Sequence, residues 1–144
     1  MAPGVFTDNG DGTVIDSVTG LMWSRCSQGQ SGPACATGTA TAMLWSAALG
    51  TAVAANTANY KGHNDWRLPS KSELESLVIL PNVDPTLDLT AFPATPAGSV
   101  YWSSTSFTTN PMYAWDVSFL DGYSTASGIK SFHNFLVRLV RGGQ

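Results

Sequence analysis

The chain has 144 residues, 43% of them hydrophobic and only 12% charged, with a formal net charge of −3. That length suits one domain, 1–144, able to bury a core without many disulfides, and a charged share about half the usual ~25% leaves a surface of Ser, Thr, Asn and Gly, as fits an exported protein. Seven scattered Lys and Arg make no basic stripe for nucleic acid, and no apolar run nears the ~20 residues of a membrane span, so neither nucleic-acid binding nor direct membrane insertion is expected.

Met1-Ala2-Pro3-Gly4 is no signal peptide, so an export signal or anchor is expected to have been removed or to belong to another part of a larger assembly. Phe6-Thr7 and Thr13-Val14-Ile15 flank Asp8-Asn9-Gly10-Asp11-Gly12, whose residues accept positive φ and predict a hairpin. A calcium loop would need oxygens at alternate positions and a distal Glu, which this cluster lacks. The turn Ser17-Val18-Thr19-Gly20 then leads into Leu21-Met22-Trp23. Cys26 and Cys35 bracket a polar, Gly-rich loop, and a disulfide there would stabilise by roughly 2–3 kcal/mol. Two free thiols or half a metal site are the alternatives, but His63 and His133 stand alone and zinc needs four close ligands, so no metal is expected.

A first helix is predicted over 41–55, with Leu44, Ala48 and Val53 near one face and Gly50 a weak point. Ser70-Lys71-Ser72-Glu73 has capping-box spacing, Leu74, Leu77 and Val78 follow at i, i+3, i+4, and Pro81 is expected to stop that second helix. Four prolines between 81 and 98 predict an irregular connection over the surface. Strands resume at Val100-Tyr101-Trp102-Ser103 and over 113–120, where Tyr113, Trp115, Val117 and Phe119 alternate with smaller or polar residues. Asp121-Gly122 is a hairpin turn, and a last strand is expected over about 135–140. Strands, two helices, then strands imply an α+β domain.

Six tags carry a resemblance: Phe6-Thr7-Asp8-Asn9-Gly10-Asp11-Gly12-Thr13, Thr19-Gly20-Leu21-Met22-Trp23, Asp65-Trp66-Arg67-Leu68-Pro69, Tyr101-Trp102-Ser103-Ser104-Thr105, Ala114-Trp115 and Val137-Arg138-Leu139-Val140-Arg141-Gly142-Gly143. In this order they resemble the bacterial domain family of the Legionella collagen-like adhesin (Lcl) C-terminal domain. Trp66-Arg67-Leu68-Pro69 and Val140-Arg141-Gly142-Gly143 also look like their counterparts in the formylglycine-generating enzymes, which share the C-type-lectin-like fold. The resemblance implies that fold: short antiparallel strands, two helices, N- and C-terminal strands paired, and an irregular face for a ligand. The tags themselves read as scaffold, with Trp23, Trp66, Trp102 and Trp115 burying area and Arg67, Arg138 and Arg141 pairing with carboxylates or carbonyls to hold loops.

The related enzymes hold copper with late-chain cysteines or iron with histidines, whereas no Cys follows Cys35 here, so neither catalysis nor a cofactor is expected. The Glu-Pro-Asn, Gln-Pro-Asp and Trp-Asn-Asp tags of calcium-dependent lectins are absent. The adhesin's domain is associated with sulfated polysaccharides and trimers, a ligand ill suited to an acidic chain. Asp116, Ser118, Leu120, Tyr123, Thr125, Ser127, Phe132, His133, Asn134, Phe135 and Leu136 occupy slots often filled by Asn and Tyr in relatives. Each is reachable from an Asn codon through adenine changes alone, the footprint of a diversity-generating retroelement, whose variable proteins resemble this fold. Core packing or a subunit interface is the competing role for Leu120, Phe132, Phe135 and Leu136.

The expectation is a cell-surface, extracellular or phage-borne module. It would bind a protein or glycan through a face within about 101–136, using Tyr113, Asp116, Ser118, Leu120, Tyr123, Thr125, Phe132, His133 and Phe135. A homotrimer or surface appendage built through the same face is the alternative.

Overall fold

Short-range polar chemistry builds the first sheet. In the computed structural model, which describes residues 6–79 and 85–142, β1 (Phe6–Asp8) and β2 (Thr13–Asp16) flank the Asp/Gly turn. Asp8 Oδ1 accepts the Gly10 amide at 2.8 Å and Asp11 Oδ1 the Thr13 amide at 3.0 Å, while Gly10 and Gly12 take φ of 80° and 95°. β3 (Met22–Ser24) follows the second turn, and β9 (Val140–Arg141) adds beyond it, giving the antiparallel order β1-β2-β3-β9. The two ends of the chain thus share one sheet, as expected. Within it β9 pairs with β3, through Trp23 and Val140, and β1 pairs with β2.

The Cys26–Cys35 disulfide forms and closes a loop containing the two-residue strands β4 (Gln30–Ser31) and β5 (Thr37–Gly38). Helix α1 (Trp45–Thr57) starts four residues later than the pattern suggests, because Met43 is drawn into a backbone bridge with Phe135. It runs through Gly50 and buries Ala48 and Ala52; Val53, expected inside, is exposed. Two small residues one turn apart let the helix lie close against Trp66, Leu68 and Trp102.

Helix α2 (Lys71–Glu75) carries the expected capping box, with Glu73 N donating to Ser70 Oγ and Ser70 N to Glu73 Oε1. It ends well before Pro81, which lies outside the described residues. Ser76 Oγ donates to the Glu73 carbonyl at 2.6 Å, and Ile79 N then donates to the Thr86 carbonyl, turning the chain away. Leu74 and Leu77 are buried all the same.

Residues 81–84 of the proline-rich connection lie outside the described residues; from 85 to 98 the connection is irregular but, contrary to expectation, partly buried rather than laid over the surface. Thr86, Leu87, Ala91 and Phe92 are buried, and the Phe92 ring meets Phe6 and Trp23 edge-on at 5.1 and 6.3 Å. Burial of these apolar groups outweighs the surface tendency of a loop.

β6 (Val100–Ser106), β7 (Tyr113–Ser118) and β8 (Ser124–Ile129) form the second antiparallel sheet, in that order. The expected alternation along β7 holds only in part. Val117 and Phe119 are buried, yet so are Ala114 and Asp116, while Tyr113 and Trp115 are half-buried. β7 is the central strand, covered on both faces, and its register with β8 shifts between Ala114 and Asp116. The expected last strand over 135–140 is reduced to β9. The preceding residues are extended but pair piecemeal, Phe135 with Met43, Leu136 with Tyr101, and Leu139 O with Ser24 N. Through them the two sheets share their core. Among the described residues, no helix is long and apolar enough to cross a membrane.

Candidate functional site

The face singled out in the sequence is the β7–β8 hairpin and the turn after it. Leu120, Tyr123 and Phe132 stand 48%, 70% and 70% exposed, and Thr125 is exposed with them. Tyr113, Ser118, His133 and Phe135 are half-buried. Asp116 is 3% exposed, so it does not belong to an outer face as expected. Six residues of β8 separate Tyr123 from the turn bearing Phe132, which sets the two exposed rings at opposite ends of a strip roughly 20 Å long.

Beneath the strip lies a built foundation. Asp116 Oδ1 accepts the Thr125 hydroxyl at 2.8 Å, and Thr125 and Ser127 hydroxyls meet at 2.9 Å. Burial pushes the Asp116 carboxyl above its ordinary range, against the opposing hydrogen bond from Thr125. Asp116 Oδ2 packs on Gly128, where a Cβ would come within 2.5 Å of the Trp102 ring and 3.1 Å of both Asp116 Oδ2 and Phe135. Only glycine fits there.

His133 Nδ1 accepts the Ile129 amide at 2.8 Å, which places the proton of the neutral ring on Nε2. Its ring stacks on Phe135 at 5.4 Å and 13°, Phe135 lies 4.7 Å from Trp102, and Phe132 meets His133 edge-on at 5.2 Å. A continuous ladder of rings thereby fixes the exposed Phe132 to the core. Ser124 Oγ donates to Glu75 Oε2 at 2.5 Å; Glu75 pairs with Lys71, whose ammonium lies 4.6 Å over the Trp115 ring. At the other end Lys130 Nζ donates to Ser106 Oγ and sits 4.0 Å over Trp45.

The arginines of the sequence tags tie the framework together. Arg67 grips Glu73 with two bonds of 2.6 and 2.7 Å and donates to the Gly142 carbonyl; this pair holds the Glu73 carboxyl below its usual range. Arg141 pairs in the same two-pronged way with Asp65. Arg138 is buried and donates to the Ser24 and Arg25 carbonyls and to the Ser27, Thr95 and Tyr101 hydroxyls, with Phe92 4.6 Å beneath its guanidinium. Trp23, Trp66 and Trp102 are buried as scaffold tags should be, and Trp115 is half-buried.

Sequence reasoning missed Met112, which is 62% exposed and whose carbonyl accepts the Lys130 amide, so it adjoins the Phe132 end of the strip. Its place just before a strand containing Tyr113 was the available signal. A separate open cleft of about 430 Å³ lies between the first turn and the disulfide loop, lined among others by Asp8, Asp11, Arg25 and Lys61. What the strip offers chemically is contact: rings and hydroxyls on a fixed base. Among the described residues, no three His, Cys, Asp or Glu side chains converge as metal ligands would.

In comparison with known proteins, the family described as the Lcl C-terminal domain matches residues 12–141. No curated protein matches the chain.

Proposed function

The chain belongs to the Lcl C-terminal domain family, and from that premise we propose that it is a non-enzymatic, adhesin- or receptor-like binding module of C-type-lectin-like fold. It acts as one domain at a bacterial cell surface, in the extracellular medium or on a phage particle. Its ligand is a protein or glycan, bound without metal or cofactor. The carrying observation is the strip of Leu120, Tyr123, Thr125 and Phe132, exposed yet seated on Asp116, His133 and Phe135. Large exposed rings on a rigid base give contact area at little entropic cost.

The same division supports diversification by a retroelement, since side chains at the surface positions can change without disturbing what lies beneath. An adjacent reverse transcriptase and a near-identical template repeat in the gene's neighbourhood are then expected; a neighbourhood lacking both rejects that part. Binding is tested on a glycan array and a panel of cell-surface proteins, comparing the chain with a Leu120→Ser, Tyr123→Ser, Phe132→Ser variant. Loss of a wild-type signal with a melting temperature shifted by only a few degrees is the expected result. Retention of the signal in the variant places the site elsewhere.

A structural module assembling as a trimer through the same face is the second reading, favoured by the apolar exposure of Leu120 and Phe132. The solution mass of the isolated chain separates it from the first.

A further inference from the structure

The open cleft between the β1–β2 turn and the disulfide loop shares no residue with the strip, and the ligand-binding reading makes no use of it. Its volume of about 430 Å³ is that of a small-molecule site. Gly10 and Gly12 line one side; Gly32 and Pro33, inside the loop that the Cys26–Cys35 bond closes, line the other. Arg25 is tied down by three carbonyls, Nε donating to Ala91 and the two terminal nitrogens to Pro33 and Thr90, with Asp8 Oδ2 3.4 Å from Nη1. A guanidinium held in this way keeps its place without a ligand.

Lys61 enters from the short turn after α1. Its backbone and that of Asn59 take φ of 52° and 50°, and Tyr60 between them is fixed by its hydroxyl to Ser24 Oγ at 3.0 Å. This lays the Lys61 side chain across Gly12, with the ammonium 2.8 Å from where a Cβ of residue 12 would stand. The ammonium lies 5.4 Å over the Tyr60 ring and, among the described residues, donates no hydrogen bond. Asp11 uses Oδ1 alone, for the Thr13 amide and hydroxyl at 3.0 and 2.6 Å. Those bonds and the charge of Lys61 hold its carboxyl below the ordinary range, so it stays an acceptor.

The charges decide what can enter. Each cation stands by a carboxylate, Arg25 beside Asp8 and Lys61 within electrostatic reach of Asp11, so no part of the wall has a single sign. An anion meets the two aspartates, a cation meets Arg25 and Lys61, and a zwitterion finds no separated poles. A neutral polyol escapes all three penalties, because each hydroxyl gives a proton to a carboxylate oxygen while taking one from a neighbouring cation. The Pro33 ring and the glycine methylenes leave low apolar ground for the C–H face of a sugar. We propose that this cleft is a second binding site, for an uncharged saccharide, in which a pyranose ring donates hydroxyls to Asp8 and Asp11 and accepts from Lys61.

Titration of the isotope-labelled full chain with methyl α-mannopyranoside, methyl β-galactopyranoside or N-acetylglucosamine, followed by NMR on the amides of Gly10, Gly12 and Gly32, tests this. At least one of these sugars is expected to shift all three amides in a saturable way. Asp11→Asn and Lys61→Met, each at an exposed position, are expected to weaken that binding roughly tenfold, as loss of a charged hydrogen-bonding partner does. The Leu120→Ser, Tyr123→Ser, Phe132→Ser variant should bind the same sugar as wild type does, so this site and the strip stand or fall separately. Should Asp11→Asn loosen the turn that it holds, Lys61→Met decides. No saturable shift from any of the sugars, a shift that survives Lys61→Met unchanged, or a stronger response to sialic acid or to free lysine overturns the proposal.

Discussion

Arg138→Met removes a guanidinium that has no acidic partner among the described residues and is 1% exposed. Its value comes from neutral acceptors in three separate segments: the Ser24 and Arg25 carbonyls at the end of β3, Thr95 in the proline-rich connection, and Tyr101 on β6. Not all are orphaned by the change. The Ser27 and Tyr101 hydroxyls still have each other at 2.5 Å, and Thr95 keeps its bond to the Phe92 carbonyl. Two backbone carbonyls lose a donor, at about 1–3 kcal/mol each, and part of that is offset because a charged group no longer has to be stripped of water. The expected net loss is about 2–4 kcal/mol, or a melting temperature lower by about 5–15 °C in a chain of this size. Urea unfolding under oxidising conditions measures it directly. A loss below about 1 kcal/mol would refute the reasoning, since it would mean that the bonds do no more than balance desolvation.

The Cys26–Cys35 bond spans a sequence separation of nine, and chain entropy for such a loop amounts to about 2.6 kcal/mol. A Cys26→Ser, Cys35→Ser variant should lose about that much and, unlike wild type, show a urea midpoint insensitive to reductant. Asp116 has a raised carboxyl pKa, so the stability linked to it is complete below the unfolded value of 3.8 and falls as pH rises through the folded one. Asp116→Asn should therefore be more stable than wild type at pH 7 and equal to it near pH 3, measured as paired urea midpoints; a variant weaker at pH 7 contradicts the sign. Glu73 has the opposite shift, and its contribution is present above 4.5 and lost as pH falls through the lowered folded value. Glu73→Gln should cost about 1–3 kcal/mol at pH 7 through the cap and the Arg67 pair, with the gap closing in acid.

What was legible in the sequence was local. The Ser70/Glu73 capping box, the turns at 8–12 and at Asp121-Gly122, and the disulfide loop depend on neighbours a few residues apart, and each is present. Illegible features depend on distant chain. The start of α1 is set by Phe135, the burial of the proline-rich connection by Phe6 and Trp23, and the end of α2 by Thr86. For the candidate site, the family resemblance and the slots reachable from an Asn codon pointed to this stretch, and Leu120, Tyr123, Thr125 and Phe132 within it are exposed. Simple alternation then misplaced Asp116, because the central strand β7 is covered on both faces and Asp116 shares its side with Gly128, Trp102 and Phe135.

The misplacement of Asp116 separates two kinds of residue that lie mixed along the chain. Gly128 has no room for any side chain, Phe135 fills the space between His133 and Trp102, and Asp116 holds Thr125 from below; replacing these alters the base itself. Leu120, Tyr123 and Phe132 project from that base, and none makes a side-chain hydrogen bond within the described chain. Their truncation removes contact area from solvent-facing surface and leaves the packing below intact. A surface that recognises varied partners needs this separation, because the energy that fixes the backbone must not come from the side chains that change. Here the fixing comes from the ladder of rings, the buried carboxyl and the arginine ties, all set behind the strip or at the far end of the fold. On the proposed reading, the positions open to change are therefore fewer than the stretch beyond Trp115 suggests: the exposed ones lie on β8 and at its two ends.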